Sequence, residues 1–231
     1  MSEKDINLEI FKLMIEELSS LRDELVFLGG STISLFITEP RHVVIRETLD
    51  VDCVVEVLHR GEYENISKKL RNLGFNEDIE GKVLCRFKKQ NLVLDVMPTD
   101  TKILGFTSIW YKDGFKNSIK MKVSGRDVKV FDLPYLMATK LEAFKGRGRG
   151  EYIFSHDIED IVTLIDGRPS ISTDLTRGHS MVTTYLKDEF GKLLNDQNFI
   201  NSLDAHISDR ENVEGRKKII LERMQNLIKV T

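Results

Sequence analysis

The stretch that decides the fold reads Leu28-Gly29-Gly30-Ser31, followed after eighteen residues by Asp50-Val51-Asp52. A Gly-Gly-Ser turn lets backbone N–H groups approach phosphate oxygens closely, because glycine has no Cβ in the way. On a strand, the Asp-x-Asp spacing puts both carboxylates on one face. Because Mg²⁺ is usually bound by one or two protein carboxylates together with substrate phosphates, the two segments predict a site for a nucleoside triphosphate and magnesium.

Length and composition narrow the class of protein. A chain of 231 residues is long enough for one large or two small domains. Its net charge of −3 gives no global positive field to attract nucleic acid, although a local basic patch is compatible with it. Cys53 and Cys85 lie in apolar or strand-like runs and are expected to be buried free thiols rather than a disulfide or zinc ligands.

The ends and the hydropathy of the chain favour a cytoplasmic protein without membrane association. The first residues are charged and contain no apolar segment of the signal-peptide type. No window approaches the roughly eighteen consecutive apolar residues that a membrane-spanning helix needs.

Hydrophobic periodicity predicts an α+β fold with a break near residue 132. Residues 1–132 are expected to form an α/β half, and residues 133–231 a C-terminal helical bundle. The predicted helices cover residues 5–21, 31–38, 61–73, 135–145, 154–166, 181–194, 197–204 and 213–229. The predicted strands cover residues 48–58, a hairpin of 82–87 and 92–97 across 89–91, and a hairpin of 119–123 and 127–131, and residues 26–28 are expected to be a short buried segment before the glycines.

Asp95 adds a third carboxylate inside an apolar strand, in Leu94-Asp95-Val96-Met97-Pro98. A carboxylate that faces a core without a partner is costly, so these side chains must face solvent, a cation or a basic group. If the Asp95 strand pairs beside the Asp50–Asp52 strand, three carboxylates converge and could hold two magnesium ions, as in two-metal phosphoryl and nucleotidyl transfer. A solvated strand face is the alternative for the Asp-x-Asp pair.

The helical part carries a second set of charged residues. Lys140 lies in mid-helix between apolar neighbours, so it either extends to solvent or points at an anion, for which phosphate is a good partner. Asp157 and Asp160 share one helix face. They could orient Lys140, touch a nucleotide, or form a solvated face.

Two further positions carry open alternatives. Arg147 and Arg149, in Gly146-Arg147-Gly148-Arg149-Gly150, could bind phosphates of a nucleotide or of a nucleic-acid acceptor, or belong to an exposed linker. Thr48 lies two residues before Asp50 on the same strand face. Its hydroxyl could reach a triphosphate, or it could be an ordinary β-branched strand residue.

The Gly-Gly-Ser turn, the Asp-x-Asp pair and Asp95 together resemble the DNA polymerase β-type nucleotidyltransferase superfamily. Three ordered motifs narrow the resemblance to the AbiEii/AbiGii-type nucleotidyltransferase toxins, a group to which MenT-type toxins belong. The similar motifs are Arg46-Glu47-Thr48-Leu49-Asp50-Val51-Asp52, Leu136-x-x-x-Lys140-x-x-Ala143 and His156-Asp157-x-x-Asp160-Ile161. The resemblance covers about residues 20–165.

This resemblance implies a polymerase β-like core, a mixed sheet with flanking helices, over residues 1–132. It also implies a magnesium-dependent enzyme that transfers NMP from an NTP to an acceptor hydroxyl. Two Mg²⁺ ions, with Mn²⁺ as an alternative, would be held by Asp50, Asp52 and Asp95, and Asp95 would also help to activate the acceptor hydroxyl. Lys140 would counter charge on the triphosphate. The expected nucleotide-binding residues are Gly29, Gly30, Ser31, Thr48, Lys140 and Asp157. The implied partners are tRNA as a candidate acceptor and a cognate antitoxin.

Two other classes of function stay open. A transferase could act on a small molecule such as an aminoglycoside, or on a protein side chain. A non-catalytic nucleotide-binding or antitoxin-like regulator would use the same fold without turnover, although the intact carboxylate trio argues against it.

Overall fold

The computed structural model describes residues 5–79, 81, 83–148, 150–177 and 180–229. The chain forms two compact units, the first made of Met1–Ser34 and Glu47–Asp132 and the second of Leu35–Arg46 and Leu133–Thr231. The second unit therefore includes a short segment, residues 35–46, that lies outside the predicted helical part, residues 133–231. Lys82, in the first predicted hairpin, and Arg149 lie outside the described residues.

The first unit contains all seven strands of the described chain, in one mixed sheet. Its helices are α1 (Ile6–Glu17), α2 (Arg60–Asn72), α3 (Thr101–Leu104) and α4 (Tyr111–Lys116), with a 3₁₀ helix at Ser19–Glu24. Its strands are β1 (Val26–Leu28), β2 (Val51–Val55), β3 (Asn76–Glu77), β4 (Arg86–Lys89), β5 (Leu92–Pro98), β6 (Ile119–Val123) and β7 (Arg126–Val130). The spatial order is β3-β4-β5-β2-β1-β7-β6, and β2/β5 and β1/β7 are the parallel pairs.

Helix α1 and the hairpins explain how the sheet is fixed. The side chain of Asp5 caps α1 by accepting from the backbone N–H of Leu8, and Phe11 packs edge-to-face on Phe27 of β1 with ring centroids 5.3 Å apart. Strands β4 and β5 are joined by a two-residue turn in which Gln90 has a φ of +53°, and Lys89 pairs with Leu92. Such tight turns match the twist of the strands and fix their register.

The second unit is helical. Its helices are α5 (Leu133–Arg147), α6 (His156–Gly167), α7 (Ile171–Asp174), α8 (Ser180–Leu194), α9 (Gln197–His206) and α10 (Val213–Lys229), with a 3₁₀ helix at Pro40–His42. Residues 35–46 are tied to the end of α6, because the backbone N–H groups of Thr38 and Glu39 both donate to the Gly167 carbonyl. Asp166 of α6 is paired with the buried Arg216 of α10.

The expected α+β fold, with a mixed sheet and a helical C-terminal part, is confirmed. Several elements are shorter than the sequence predicts. The strand predicted over residues 48–58 is β2, Val51–Val55, so Asp50 lies just before it. The helix predicted over residues 31–38 is a 3₁₀ helix, Gly30–Phe36. None of the helices in the described ranges is long and apolar enough to cross a membrane.

Candidate active site

The three predicted carboxylates lie on neighbouring strands of the first unit. Strands β2 and β5 are parallel, and their register places Asp52 directly opposite Asp95. Residues directly opposite each other in a sheet project to the same face, and Asp50, two residues before Asp52, belongs to that face as well. The strand pairing on which the sequence argument depended is therefore present. We call Asp50, Asp52 and Asp95 the carboxylate cluster.

An arginine that the sequence analysis did not single out binds this cluster. Arg86 of β4 is the register partner of Asp95, and its guanidinium donates from Nε to Asp95 Oδ1 and from Nη2 to Asp95 Oδ2, both over 2.8 Å. The same Nη2 donates to Asp50 Oδ2 over 2.8 Å. The hydrogen bond to Asp95 and the attraction of the nearby carboxylates hold the pKa of Arg86 above its ordinary value, so the group stays charged.

The register of the β4–β5 hairpin explains why Arg86 was missed. The sequence predicted a three-residue loop over residues 89–91, which would place Arg86 opposite Leu94. The actual two-residue turn shifts the pairing by one residue and brings Arg86 opposite Asp95. A shift of one residue moves a side chain to the other face of the sheet, so the correct turn length was the signal that could have found this contact.

Asp50 is also held from its other side by Thr48. The Thr48 hydroxyl donates to Asp50 Oδ1 over 2.9 Å, and the buried Thr48 backbone N–H donates to Asn7 Oδ1 over 2.9 Å. The structure therefore places the Thr48 hydroxyl against a carboxylate of the cluster.

The Gly-Gly-Ser turn lies against Asp52. Gly29 has a φ of +84°, and a Cβ at this position would come within 2.0 Å of Asp52 Oδ2, so only glycine fits. Gly30 opens the 3₁₀ helix that follows. Ser31 is fully buried, and its hydroxyl has no hydrogen-bond partner among the residues that the structure describes. A buried hydroxyl without a partner is rare and points to a group that a ligand or water would satisfy.

Lys140 of the second unit lies in a buried ion-pair network. Its Nζ is 2.6 Å from Asp160 Oδ2 and 3.5 Å from Asp157 Oδ1, both on α6. All three side chains are buried, so the idea of a solvated helix face is wrong for Asp157 and Asp160. Their contacts with Lys140 agree with the alternative that they orient it. We call these three residues the lysine cluster.

Two arginines bind the aspartates of the lysine cluster. Arg46 binds Asp160 through Nε and Nη2, at 2.9 and 3.1 Å, and Arg147 binds Asp157 through the same two atoms, at 2.9 and 2.8 Å. Burial lowers the pKa of Arg46, but the attraction and hydrogen bonding of Asp160, together with the attraction of Glu159 and Asp157, outweigh burial and leave that pKa above its ordinary value. Lys140, Arg46 and Arg147 thus share the carboxylates of Asp157 and Asp160, and Glu159 also attracts Arg46.

The donor set of the carboxylate cluster suits a hard divalent cation, because Mg²⁺ prefers oxygen ligands. Within the described ranges, no three Asp, Glu, His or Cys side chains are already arranged around a metal position. The Arg86 guanidinium supplies a reason, because it binds one oxygen of Asp50 and both oxygens of Asp95. A positive group thus occupies carboxylate oxygens that a divalent cation would need as ligands.

Comparison with solved structures identifies the class of fold. The protein JHP933 from Helicobacter pylori superposes with a TM-score of 0.52 at 13% identity, covering 99% of this chain and 94% of that one. A second H. pylori protein, provisionally described as a nucleotidyltransferase, gives a TM-score of 0.52 at 15% identity, covering 98% and 96%. The chain therefore has a nucleotidyltransferase-type fold. No protein-family model and no curated protein sequence matches it.

Proposed function

We propose that this protein is a magnesium-dependent nucleotidyltransferase that moves NMP from an NTP to an acceptor hydroxyl. The observation that carries the proposal is the carboxylate cluster, with Asp52 facing Asp95 across parallel strands and pressed against the Gly29 turn. The nucleotidyltransferase-type fold supports it. In this proposal the Arg86 guanidinium must release the carboxylate oxygens of Asp50 and Asp95 when a metal binds.

The predicted site residues of the first unit each have a role in this proposal. Asp50, Asp52 and Asp95 would hold Mg²⁺ or Mn²⁺, which when bound would neutralise charge that develops on the phosphates. The backbone of Gly29 and Gly30 and the Ser31 hydroxyl would bind the β- and γ-phosphates. The unpartnered, buried hydroxyl of Ser31 supports this assignment.

The chemical step needs no group outside the substrates and the site. The oxygen of the acceptor hydroxyl forms a bond to the α-phosphorus of the NTP, and the bond from that phosphorus to the β-phosphate oxygen breaks. Pyrophosphate leaves with the bonding electrons, and the hydroxyl proton passes to Asp95. Asp95 can accept it only when its oxygens are released from Arg86.

The second unit carries its own candidate phosphate-binding groups. These are the cations Lys140, Arg46 and Arg147, which would bind phosphate oxygens. Lys140 is already paired with Asp160. It would therefore attract a phosphate together with the other cations of the cluster rather than alone. Asp157 would act by holding Lys140 and Arg147 in place.

The resemblance to AbiEii/AbiGii-type toxins extends the proposal to the acceptor and the biological role. We infer that the acceptor is tRNA and that the protein is the toxin of a toxin–antitoxin pair with a cognate antitoxin. A small molecule or a protein as acceptor is the alternative within the same chemistry. A non-catalytic nucleotide-binding regulator is the alternative without it.

The test is a transfer assay on the whole protein. Purified protein is incubated with each labelled NTP, Mg²⁺ and total tRNA, and label transfer and pyrophosphate release are measured beside Asp50→Ala. Parallel reactions contain aminoglycosides or a protein extract in place of tRNA. Transfer to tRNA that Asp50→Ala abolishes would support the proposal, and absence of transfer and pyrophosphate release with every acceptor would contradict it.

A further inference from the structure

An asparagine lies on the buried side of α1. Asn7 is only 2% exposed and shares the inward face of the helix with Phe11 and Met14, whereas the neighbouring Ile6 is 47% exposed. A helix that served packing alone would bury the isoleucine, since burial of an amide is unfavourable unless it is hydrogen-bonded. The buried amide therefore calls for a specific partner.

That partner is the chain just before the carboxylate cluster. Asn7 Oδ1 accepts the backbone N–H of Thr48 over 2.9 Å, across 41 positions of sequence, and the Thr48 hydroxyl donates to Asp50 Oδ1 over 2.9 Å. A chain of two hydrogen bonds thus runs from α1 to one carboxylate. Both Asn7 and Thr48 are buried, so water competes little for these bonds.

The position of Asp50 makes such a support necessary. The β2–β5 register begins at Val51, so Asp50 lies just before the part of the strand that the sheet aligns. Residue 47 is also where the chain re-enters the first unit after the segment 35–46. Side-chain contacts must therefore fix Asp50, and Thr48 and Arg86 each hold one of its two oxygens.

We propose that Asn7 is a positioning residue that sets Asp50 for metal binding by acting through Thr48. Arg86 would leave when the metal arrives, whereas the Asn7–Thr48 support would stay. This inference rests on the proposed function, because it assumes that Asp50 is a metal ligand. It assigns a role to a residue of α1 that touches neither metal nor nucleotide.

The experiment measures Mn²⁺ binding to the full chain by the loss of the free-ion electron paramagnetic resonance signal. Asn7→Leu and Thr48→Val should each weaken Mn²⁺ binding about tenfold, within the range usual for groups that orient a metal ligand. Thr48→Ser, which keeps the hydroxyl, should restore binding to within about twofold of the natural protein. The double variant Asn7→Leu/Thr48→Val should be no weaker than the weaker single variant, because both act through one path.

Ser67→Ala is the matched control. Ser67 is a buried polar residue of α2 that bonds only the Tyr63 carbonyl of its own helix in the contacts described, so its loss should lower stability without changing Mn²⁺ affinity. Thr48→Val, which removes a single hydroxyl, carries the test if Asn7→Leu does not fold. Natural Mn²⁺ affinity in Thr48→Val, or additive losses in the double variant, would overturn the positioning role.

The result separates this inference from the proposed function. If the natural protein binds Mn²⁺ and Asp50→Asn abolishes that binding, the metal site stands, and only the Asn7 and Thr48 variants decide the positioning role. If the natural protein shows no binding that Asp50→Asn affects, the metal assignment and the positioning role fail together.

Discussion

The two charged clusters of this protein use the same chemistry in different surroundings. In the carboxylate cluster one arginine bridges Asp50 and Asp95; the Arg86 and Asp50 side chains are 24% and 32% exposed, whereas that of Asp95 is 9% exposed. In the lysine cluster Asp160 is bound by both Lys140 and Arg46 and its side chain is 2% exposed. Partly exposed ion pairs are weak and exchange partners readily, whereas buried ones are costly to break. The first cluster is thus suited to exchange a cation, and the second to hold a fixed structure.

The largest expected effect lies in the buried cluster. Asp160→Asn removes the negative charge that faces the buried Lys140 and the partly buried Arg46 and leaves them with too little compensation, so it should lower the free energy of unfolding by about 3–5 kcal/mol. Urea denaturation followed by circular dichroism measures this loss. Asp50→Asn, at the partly exposed carboxylate of the other cluster, should cost no more than about 1 kcal/mol. Equal losses in the two variants would remove the contrast between the clusters.

The second prediction concerns activity. Asp52→Asn should reduce nucleotidyl transfer at least a hundredfold, because replacing even a group that only orients a metal ligand typically costs about 10–100-fold. In the proposed function Asp52, which lies against the Gly29 turn and opposite Asp95, would be the central metal ligand. Asp127→Asn, at an exposed carboxylate on β7 paired with Lys122, is the control and should keep full activity. Unchanged transfer by Asp52→Asn would refute the metal assignment.

The third prediction tests whether Arg86 competes with a metal. Arg86→Gln removes the positive charge that binds Asp50 and Asp95, so Mn²⁺ affinity should rise about tenfold, or about 1.4 kcal/mol. Lys88→Gln removes a charge from the same strand, where Lys88 pairs with Asp78, and should change the affinity less than about twofold. Calorimetric titration compares the two. Weaker binding by Arg86→Gln would mean that the guanidinium supports the metal site rather than competing for it.

The smallest effect is expected at the rim of the lysine cluster. Arg46 and Arg147 make the same two-atom contact with a buried aspartate, but their side chains are 18% and 71% exposed. Arg147→Gln should therefore lower the free energy of unfolding by less than about 1 kcal/mol, and Arg46→Gln by clearly more. Thermal or urea denaturation of the two variants measures the difference. If Arg147→Gln is the more destabilising, exposure is not what separates the two contacts.

Part of the site could be predicted from short-range patterns. The Gly29 turn, the two-residue spacing of Asp50 and Asp52, and the apolar strand around Asp95 follow from local chemistry, because strand periodicity fixes which side chains share a face. The pairing of β2 with the strand of Asp95 could be assumed from the sequence but not predicted. The helical character after residue 132 followed from hydrophobic spacing in the same way.

The rest depended on contacts between distant residues. Arg86 was missed because one residue of turn length decides which side chain faces Asp95. Asn7 carried no local signal, since its partner Thr48 lies far along the chain. The sequence predicts a helix that ends at residue 38 and no regular element over residues 39–46, and nothing in their own pattern indicates that they bond to α6. Such long-range choices depend on tertiary packing rather than on local propensity.

The membership of residues 35–46 in the second unit has a consequence for how that unit is made during synthesis. These residues leave the ribosome about a hundred residues before the helix α6 that receives them. Only after α6 has been synthesised can Arg46 pair with Asp160, and the N–H groups of Thr38 and Glu39 donate to the Gly167 carbonyl. A fragment that begins at Leu133 would therefore lack the Arg46 guanidinium that pairs with Asp160. It would also lack the backbone N–H groups of Thr38 and Glu39 that donate to Gly167. The helical half of this protein depends on a piece of chain translated long before it.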